Sequence, residues 1–178
     1  MKLSSARVVL ILLIFVGLAA VSYHYSPYRQ IRSIWSVVEI DAPANSVWQV
    51  LTDLNGYGSW NPFITSASGE LAAGKQIRVT LKLGDHRLSM RPRIVGLSPG
   101  KRFVWADRSL VPGVINVEHA FELEEIDQSH TRLIQSAHFK GLLVGFLWDR
   151  IYPSISGGFR AMNQALKARC EQTAGAQP

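Results

Sequence analysis

Residues 40–64, IDAPANSVWQVLTDLNGYGSWNPFI, decide how the rest of the chain is read. Ile40 closes a run of β-type residues. Asp41-Ala42-Pro43 breaks that run, because proline has no backbone donor and a fixed φ. Pro43 suits the first helical position after a cap at Asp41 or Ala42. Val47, Val50, Leu51 and Leu54 then recur at i, i+3, i+4 and i+7, one face of a helix. Asn55-Gly56 ends it, and Trp60-Asn61-Pro62-Phe63 is a second stop, heavy with aromatic surface. The stretch reads as a strand end, a short helix and a second short helix or turn.

Upstream, Ile34–Ile40 is a first strand, and Ile64–Glu70 is a second, ending at Ser68-Gly69. The clearest signal follows. Ile77, Val79, Leu81 and Leu83 alternate with Arg78, Thr80 and Lys82; after Gly84-Asp85, Leu88, Met90 and Ile94 alternate with Arg87, Ser89, Arg91 and Arg93. Period-two alternation around a Gly turn is a β-hairpin. Pairing residue 83 with 86 sets Leu81 opposite Leu88 and Val79 opposite Met90, which keeps one apolar face. The same register sets Lys82 opposite Arg87 and Arg78 opposite Arg91. Like charges directly opposite destabilise a strand pair. The outer face is therefore either a solvated face with acids nearby or a basic patch for anionic lipid or an acidic partner.

Residues 101–108 (KRFVWADR) form a strand with Phe103 and Trp105 on one face. Residues 114–125 alternate again, with Ile115, Val117, His119, Phe121 and Leu123 on one side. After the loop at residues 127–130, residues 131–141 form the last strand, with Leu133, Gln135, Ala137 and Phe139 inward. The segment 141–148 (GLLVGFLW) is apolar without alternation, either the buried start of the last helix or an exposed apolar loop. From Pro153 to about Glu171 the sequence is helical, with Ile155, Phe159, Met162, Leu166 and Cys170 as one stripe. Gly157-Gly158 weakens that helix by about 1 kcal/mol per Gly relative to Ala, and allows a bend or close packing. Strand, short helices, about six antiparallel strands and a long helix make an α+β domain with a curved sheet wrapped on one helix.

The chain has 178 residues, enough for one domain with a real core. Its net charge of +6 points to anionic partners without choosing among them. One cysteine, Cys170, excludes an internal disulfide framework and a Cys-based zinc site, and the five histidines show no HExxH or other metal-ligand spacing. No cofactor is implied. No nucleophile motif, phosphate loop or nucleic-acid motif occurs, so nucleic acid is not an expected partner. Lys2 and Arg7 precede an uncharged run from Val8 to Tyr23, about 24 Å long as a helix at ~1.5 Å per residue. With Tyr23, Tyr25 and Tyr28 at the interface, this run reaches across a bilayer. A cleaved signal peptide, with a poor small-residue site at Ala20-Val21-Ser22, is the competing reading. The charges flanking the run lean towards a single-pass membrane protein with its domain on the non-cytoplasmic side. The organisation is thus an anchor or signal peptide over 1–25, a linker over 26–33, a domain over 34–171 and a frayed tail over 172–178.

The opening stretch resembles the START-like (SRPBCC) superfamily, which includes polyketide cyclase-like and Bet v 1-like proteins. The resemblance rests on a strand, then APANSVWQVLTD, then a tyrosine and Trp60-Asn61-Pro62. PGVINVEHAFELEEID and TRLIQSAHFKG resemble that superfamily's sixth and seventh strands, and GGFRAMNQALKARCE its closing helix. The resemblance covers about residues 34–171, and an N-terminal anchor is not a usual part of it. It implies a helix-grip fold: a curved seven-stranded antiparallel sheet around a long C-terminal helix, two short helices after strand 1, and an apolar cavity. It also implies a hydrophobic small molecule or lipid as ligand, or in a minority of members cyclisation or dehydration. It carries no catalytic set over to this chain.

An apolar concave cavity with a few polar groups is the usual small-molecule site. Strand alternation gives Val79, Leu81, Met90, Trp105, Val117, His119, Phe121, Gln135 and Phe139 as inward candidates. Trp60 and Phe63 would close one end, and Phe159 and Met162 would come from the helix. Each taken singly reads more readily as plain core; as a group they make the candidate pocket. His119 stands out on an otherwise apolar face, as a ligand-orienting group, an acid or base, or a hydrogen-bonded structural histidine, with Gln135 as its neighbour. Leu142, Leu143, Phe146 and Trp148 are either buried under the sheet or in contact with lipid near the cavity mouth. Three functions stay open: a membrane-anchored binder of a hydrophobic molecule, a cyclase-like enzyme using His119, and an interaction or stress protein with a vestigial cavity.

Overall fold

The computed structural model describes residues 11–18, 31–108 and 114–174. Residues 11–18 are helical and exposed, and the rest of the apolar 8–23 run lies outside the described residues. Among the described residues no helix is long and apolar enough to cross a membrane. The domain runs β1 (Ile31–Ile40), α1 (Ala44–Thr52), a 3₁₀ turn (Leu54–Ser59), β2 (Ile64–Ser68), β3 (Arg78–Leu83), β4 (His86–Met90), β5 (Arg93–Ser98), β6 (Arg102–Arg108), β7 (Asn116–Glu125), β8 (Thr131–Lys140) and α2 (Val144–Ala174).

The expected α+β arrangement is present, with antiparallel sheets around a long C-terminal helix. The strands number eight in two sheets, β1-β8-β7-β6-β5 and β2-β3-β4, where one seven-stranded sheet was expected. The extra break lies at Pro92. Proline has no N–H for the ladder, and here only its carbonyl is used, accepting from Ile77 N at 3.0 Å. The run read as one strand from residue 87 to 94 is therefore split into β4 and β5. The hairpin register agrees with the expectation at Leu83↔His86, Lys82↔Arg87, Leu81↔Leu88 and Val79↔Met90. Arg78 does not face Arg91: it pairs with Ser68 of β2, and Arg91 lies past the end of β4.

Three further boundaries differ. β1 begins at Ile31, three residues before the expected start at Ile34. Pro43 is the cap of α1 itself, in extended conformation (φ −60, ψ 146), and not its first helical residue. The last helix begins at Val144, with Pro153 inside it. A proline lacks the donor that would reach back one turn, so an interior position is unfavourable by ~3 kcal/mol or more. Tertiary packing overrides this: Val144 is fully buried, and Trp148 packs edge-on against Phe139 at 5.7 Å.

The opening stretch is held by its own polar groups. Val47, Leu51 and Leu54 are buried as the spacing requires, with Val50 half-buried. Tyr57, fully buried, donates its hydroxyl to Leu51 O at 2.6 Å, tying the 3₁₀ turn to the end of α1. Asn61 Oδ1 accepts from the backbone N–H of Phe63 (3.0 Å) and of Ile64 (2.8 Å). This side-chain turn starts β2 and aims Phe63 at α2, where its ring lies on Gly158. Helix α2 packs across β1, β8, β3 and α1, and its stripe of Phe159, Met162, Leu166 and Cys170 is buried as expected.

Candidate functional site

Between α2 and the inner faces of both sheets lies a cavity of about 530 Å³. It lies towards one end of the interior. Val117 and His119 of β7 line it, with Ile115 just before the strand, while Phe121 and Leu123 on the same face are packed core. Along β8, Ala137 and Phe139 line it, and Gln135 and Leu133 do not. Along β3, Leu81 and Leu83 line it, and Val79 does not. Along α2, Ile151, Ile155 and Phe159 line it, and Met162 and Leu166 do not. The open half is the end holding the β3–β4 turn, the C-terminus of β8 and the N-terminus of α2.

Of the thirteen residues expected at a site, eight line the cavity: Phe63, Leu81, Met90, Trp105, Val117, His119, Phe139 and Phe159. The other five lie elsewhere. Val79 is core, Phe121 stacks on Phe103 at 4.7 Å, and Trp60 sits edge-on to Tyr57 at 5.1 Å. Gln135 and Met162 are buried behind His119. The sequence reading missed Leu83, Leu88, Ser89, Asp107, Ile115, Ala137, Ile151 and Ile155. Leu83, Leu88, Ile115 and Ala137 sit in phase with expected inward residues, so the alternation contained them. Ile151 lies upstream of the expected helix start.

His119 marks the boundary between the open and packed halves. Its ring stacks on Phe159 (4.8 Å between centroids, 12° between planes) and meets Trp105 edge-on at 5.0 Å. Gln135 Nε2 lies 3.0 Å from His119 Nε2 and 3.6 Å from Met162 Sδ. The amide donates to the lone pair of Nε2, which places the ring proton on Nδ1. Burial in this aromatic setting pushes the His119 pKa down to about 3, since nothing nearby compensates a charged ring. The imidazole is therefore neutral at physiological pH, and it forms part of the cavity wall. Gln135 Oε1 is buried without a partner among the described residues.

The acidic residues of β7 point away from the cavity. Glu122 pairs with Arg102, and Glu124 joins Glu39 on Arg132. No group of three or more His, Cys, Asp or Glu suited to a metal occurs among the described residues.

The arrangement of two antiparallel sheets around a long helix over an apolar cavity is that of the START-like (SRPBCC) superfamily. The chain belongs to the polyketide cyclase / dehydrase and lipid transport family, whose model matches residues 32–171. Solved structures similar to it include the Zhui aromatase/cyclase from Streptomyces sp. R1128. That protein has 16% identity over 83% of this chain and 98% of its own, with a TM-score of 0.70. A START superfamily protein from Mycobacterium smegmatis has 18% identity over 79% and 98%, with a TM-score of 0.62. Norcoclaurine synthase from Thalictrum flavum has 12% identity over 82% and 97%, with a TM-score of 0.65. At these identities the likeness is one of fold. A comparison with curated proteins finds no match.

Proposed function

We propose that this domain binds a hydrophobic small molecule or lipid in the cavity, from a position at a membrane where the apolar residues 8–23 anchor the chain. The observation that carries the reading is the cavity itself. At about 530 Å³ it falls within the ~300–1,000 Å³ range of small-molecule sites, and its walls are apolar save for Ser89, Asp107 and His119. The ligand that fits is mostly apolar, with a hydrogen-bond acceptor placed against the His119 Nδ1–H. The family description, which joins cyclase and lipid-transport proteins, supports a ligand of this class. Lys2 and Arg7 before the apolar run favour the domain on the non-cytoplasmic side.

A cyclase-like enzyme using His119 is the weaker reading. A histidine whose pKa is held near 3 is a poor base and carries no imidazolium to act as acid at neutral pH. A vestigial cavity is disfavoured by the volume. The test is native mass spectrometry of the detergent-purified full chain beside an Ile155→Trp variant, which fills the cavity from α2. A bound species in the wild type that is depleted in the variant supports the proposal. If the wild type carries no adduct and fails to take up added N-phenyl-1-naphthylamine, the proposal fails.

A further inference from the structure

The turn before α2 and the first turn of that helix expose apolar side chains that the fold leaves uncovered. Phe146 is 91% exposed, Leu142 57% and Leu143 40%. Next to them, Trp148 packs inward on Phe139, a cavity wall residue, and outward against Tyr152 at 5.4 Å. The Arg32 guanidinium lies 5.9 Å from the Trp148 ring. Asp149 is the one acid between residues 140 and 155.

This surface adjoins the rim of the cavity. Leu143 N donates to Val114 O at 3.2 Å, beside the lining residue Ile115. Across the opening stands the β3–β4 hairpin, whose Leu83 and Leu88 line the same cavity, with Leu88 45% exposed. One residue from each of them, Lys82 and Arg87 face each other across the ladder. Both are exposed, and neither has an acidic partner among the described residues. Two like charges held opposite each other are unfavourable in water, and an anionic surface in front of them removes that repulsion.

Chain geometry brings the same end to the membrane. Ile31 pairs with Lys140, so the start of β1 and the Gly141–Leu143 segment lie side by side. Seven residues separate Tyr23 from Ile31, a reach of no more than about 28 Å at ~3.5 Å per residue.

We infer that the cavity mouth docks onto an anionic lipid bilayer, with Leu142, Leu143 and Phe146 dipping into its interface and Lys82 and Arg87 meeting its phosphates. The long stems of Lys82 and Arg87 let their charges reach the headgroups from the hairpin, and Trp148 and Tyr152 are of the type that settles at a membrane interface. A lipid then passes between bilayer and cavity without crossing water. This rests on the anchoring reading above.

The test uses the full chain in phosphatidylcholine vesicles with and without phosphatidylglycerol. An environment-sensitive NBD label is placed at Leu142→Cys or, at the far end of the domain, at Ser129→Cys; native Cys170 is buried and is left in place. A blue-shifted label at 142 that aqueous iodide no longer quenches, enhanced by phosphatidylglycerol, supports docking, provided the label at 129 stays quenched. Phe146→Asp restores iodide access at 142, and Lys82→Glu with Arg87→Glu removes the phosphatidylglycerol dependence. If the protein floats with the vesicles but the 142 label is quenched like the 129 label, docking is refuted and anchoring stands. If the protein does not float, anchoring is refuted, and docking as stated here falls with it.

Discussion

Gly157 and Gly158 are adjacent in α2, and the structure separates them. A methyl group on Gly157 would meet nothing within 4 Å, whereas on Gly158 it would sit 2.1 Å from Phe63 Cδ2 and 2.4 Å from Cε2. Apolar carbons rest at ~3.5–4.0 Å, so the Phe63 ring must retreat by roughly 1.5 Å. It is not free to swing, because Asn61 fixes its backbone and Phe159 flanks its ring edge-on at 5.8 Å. The cavity it lines offers it room to retreat. Both substitutions to alanine gain helix propensity of about 1 kcal/mol. Only Gly158→Ala adds overpacking, typically ~1–3 kcal/mol, so the difference between the two variants isolates that term. Gly157→Ala is expected to raise the urea midpoint. Gly158→Ala is expected to be less stable than Gly157→Ala by about 1–3 kcal/mol, with an unchanged m-value and weaker uptake of N-phenyl-1-naphthylamine. Equal stabilisation by both alanines would refute the packing of Phe63 on Gly158, and with it the placing of Phe63 in the cavity wall.

His119 makes stability depend on pH. Its folded pKa of about 3 lies below the usual ~6.5, so the unfolded chain takes up the proton first as pH falls. Its contribution is complete above pH ~6.5 and is lost at about 1.4 kcal/mol per pH unit below it. Between pH 6.5 and 5 the wild type should therefore lose about 2 kcal/mol more than His119→Phe; parallel urea curves at the two pH values would contradict this. Asn61→Ala leaves the N–H groups of Phe63 and Ile64 without their acceptor in a buried setting. The expected loss is about 2–4 kcal/mol in urea unfolding, and a loss under ~0.5 kcal/mol, typical of a surface site, would show that this turn does not hold the start of β2.

The hairpin was legible residue by residue because its signal is local: alternation sets the face, and the glycine turn sets the register. The split at Pro92 was visible as a proline but was outvoted by the alternation around it. The sequence leaves the start of α2 open between residues 141–148 and Pro153 for the opposite reason. Pro153 is a strong local stop, and what overrides it, the burial of Val144 and the seat of Trp148 on Phe139, depends on β8, which no local pattern near residue 144 reports.

The cavity shows where a sequence pattern stops carrying information. Period two separates inner from outer side chains, but Ile115 and the inner face of β7 make one unbroken series, Ile115, Val117, His119, Phe121, Leu123, of which the first three line the cavity. What divides the series is volume contributed from elsewhere. Phe103 stacks under Phe121, Met162 and Gln135 back His119, and Leu166 fills the core beyond, while towards the β3–β4 turn Ile151, Ile155 and Phe159 of α2 line the space without filling it. A cavity is a shortfall of volume summed over elements far apart in the chain, so its place cannot be read from any one of them. The one residue that does announce the boundary is polar. Burying an amide and an imidazole in an apolar interior is unfavourable unless they bond each other, and His119 and Gln135 do so at the point where packing gives way to space. His119 lines the cavity as well, so the polar residue in the cavity wall and the polar pair that closes off the core belong to the same contact.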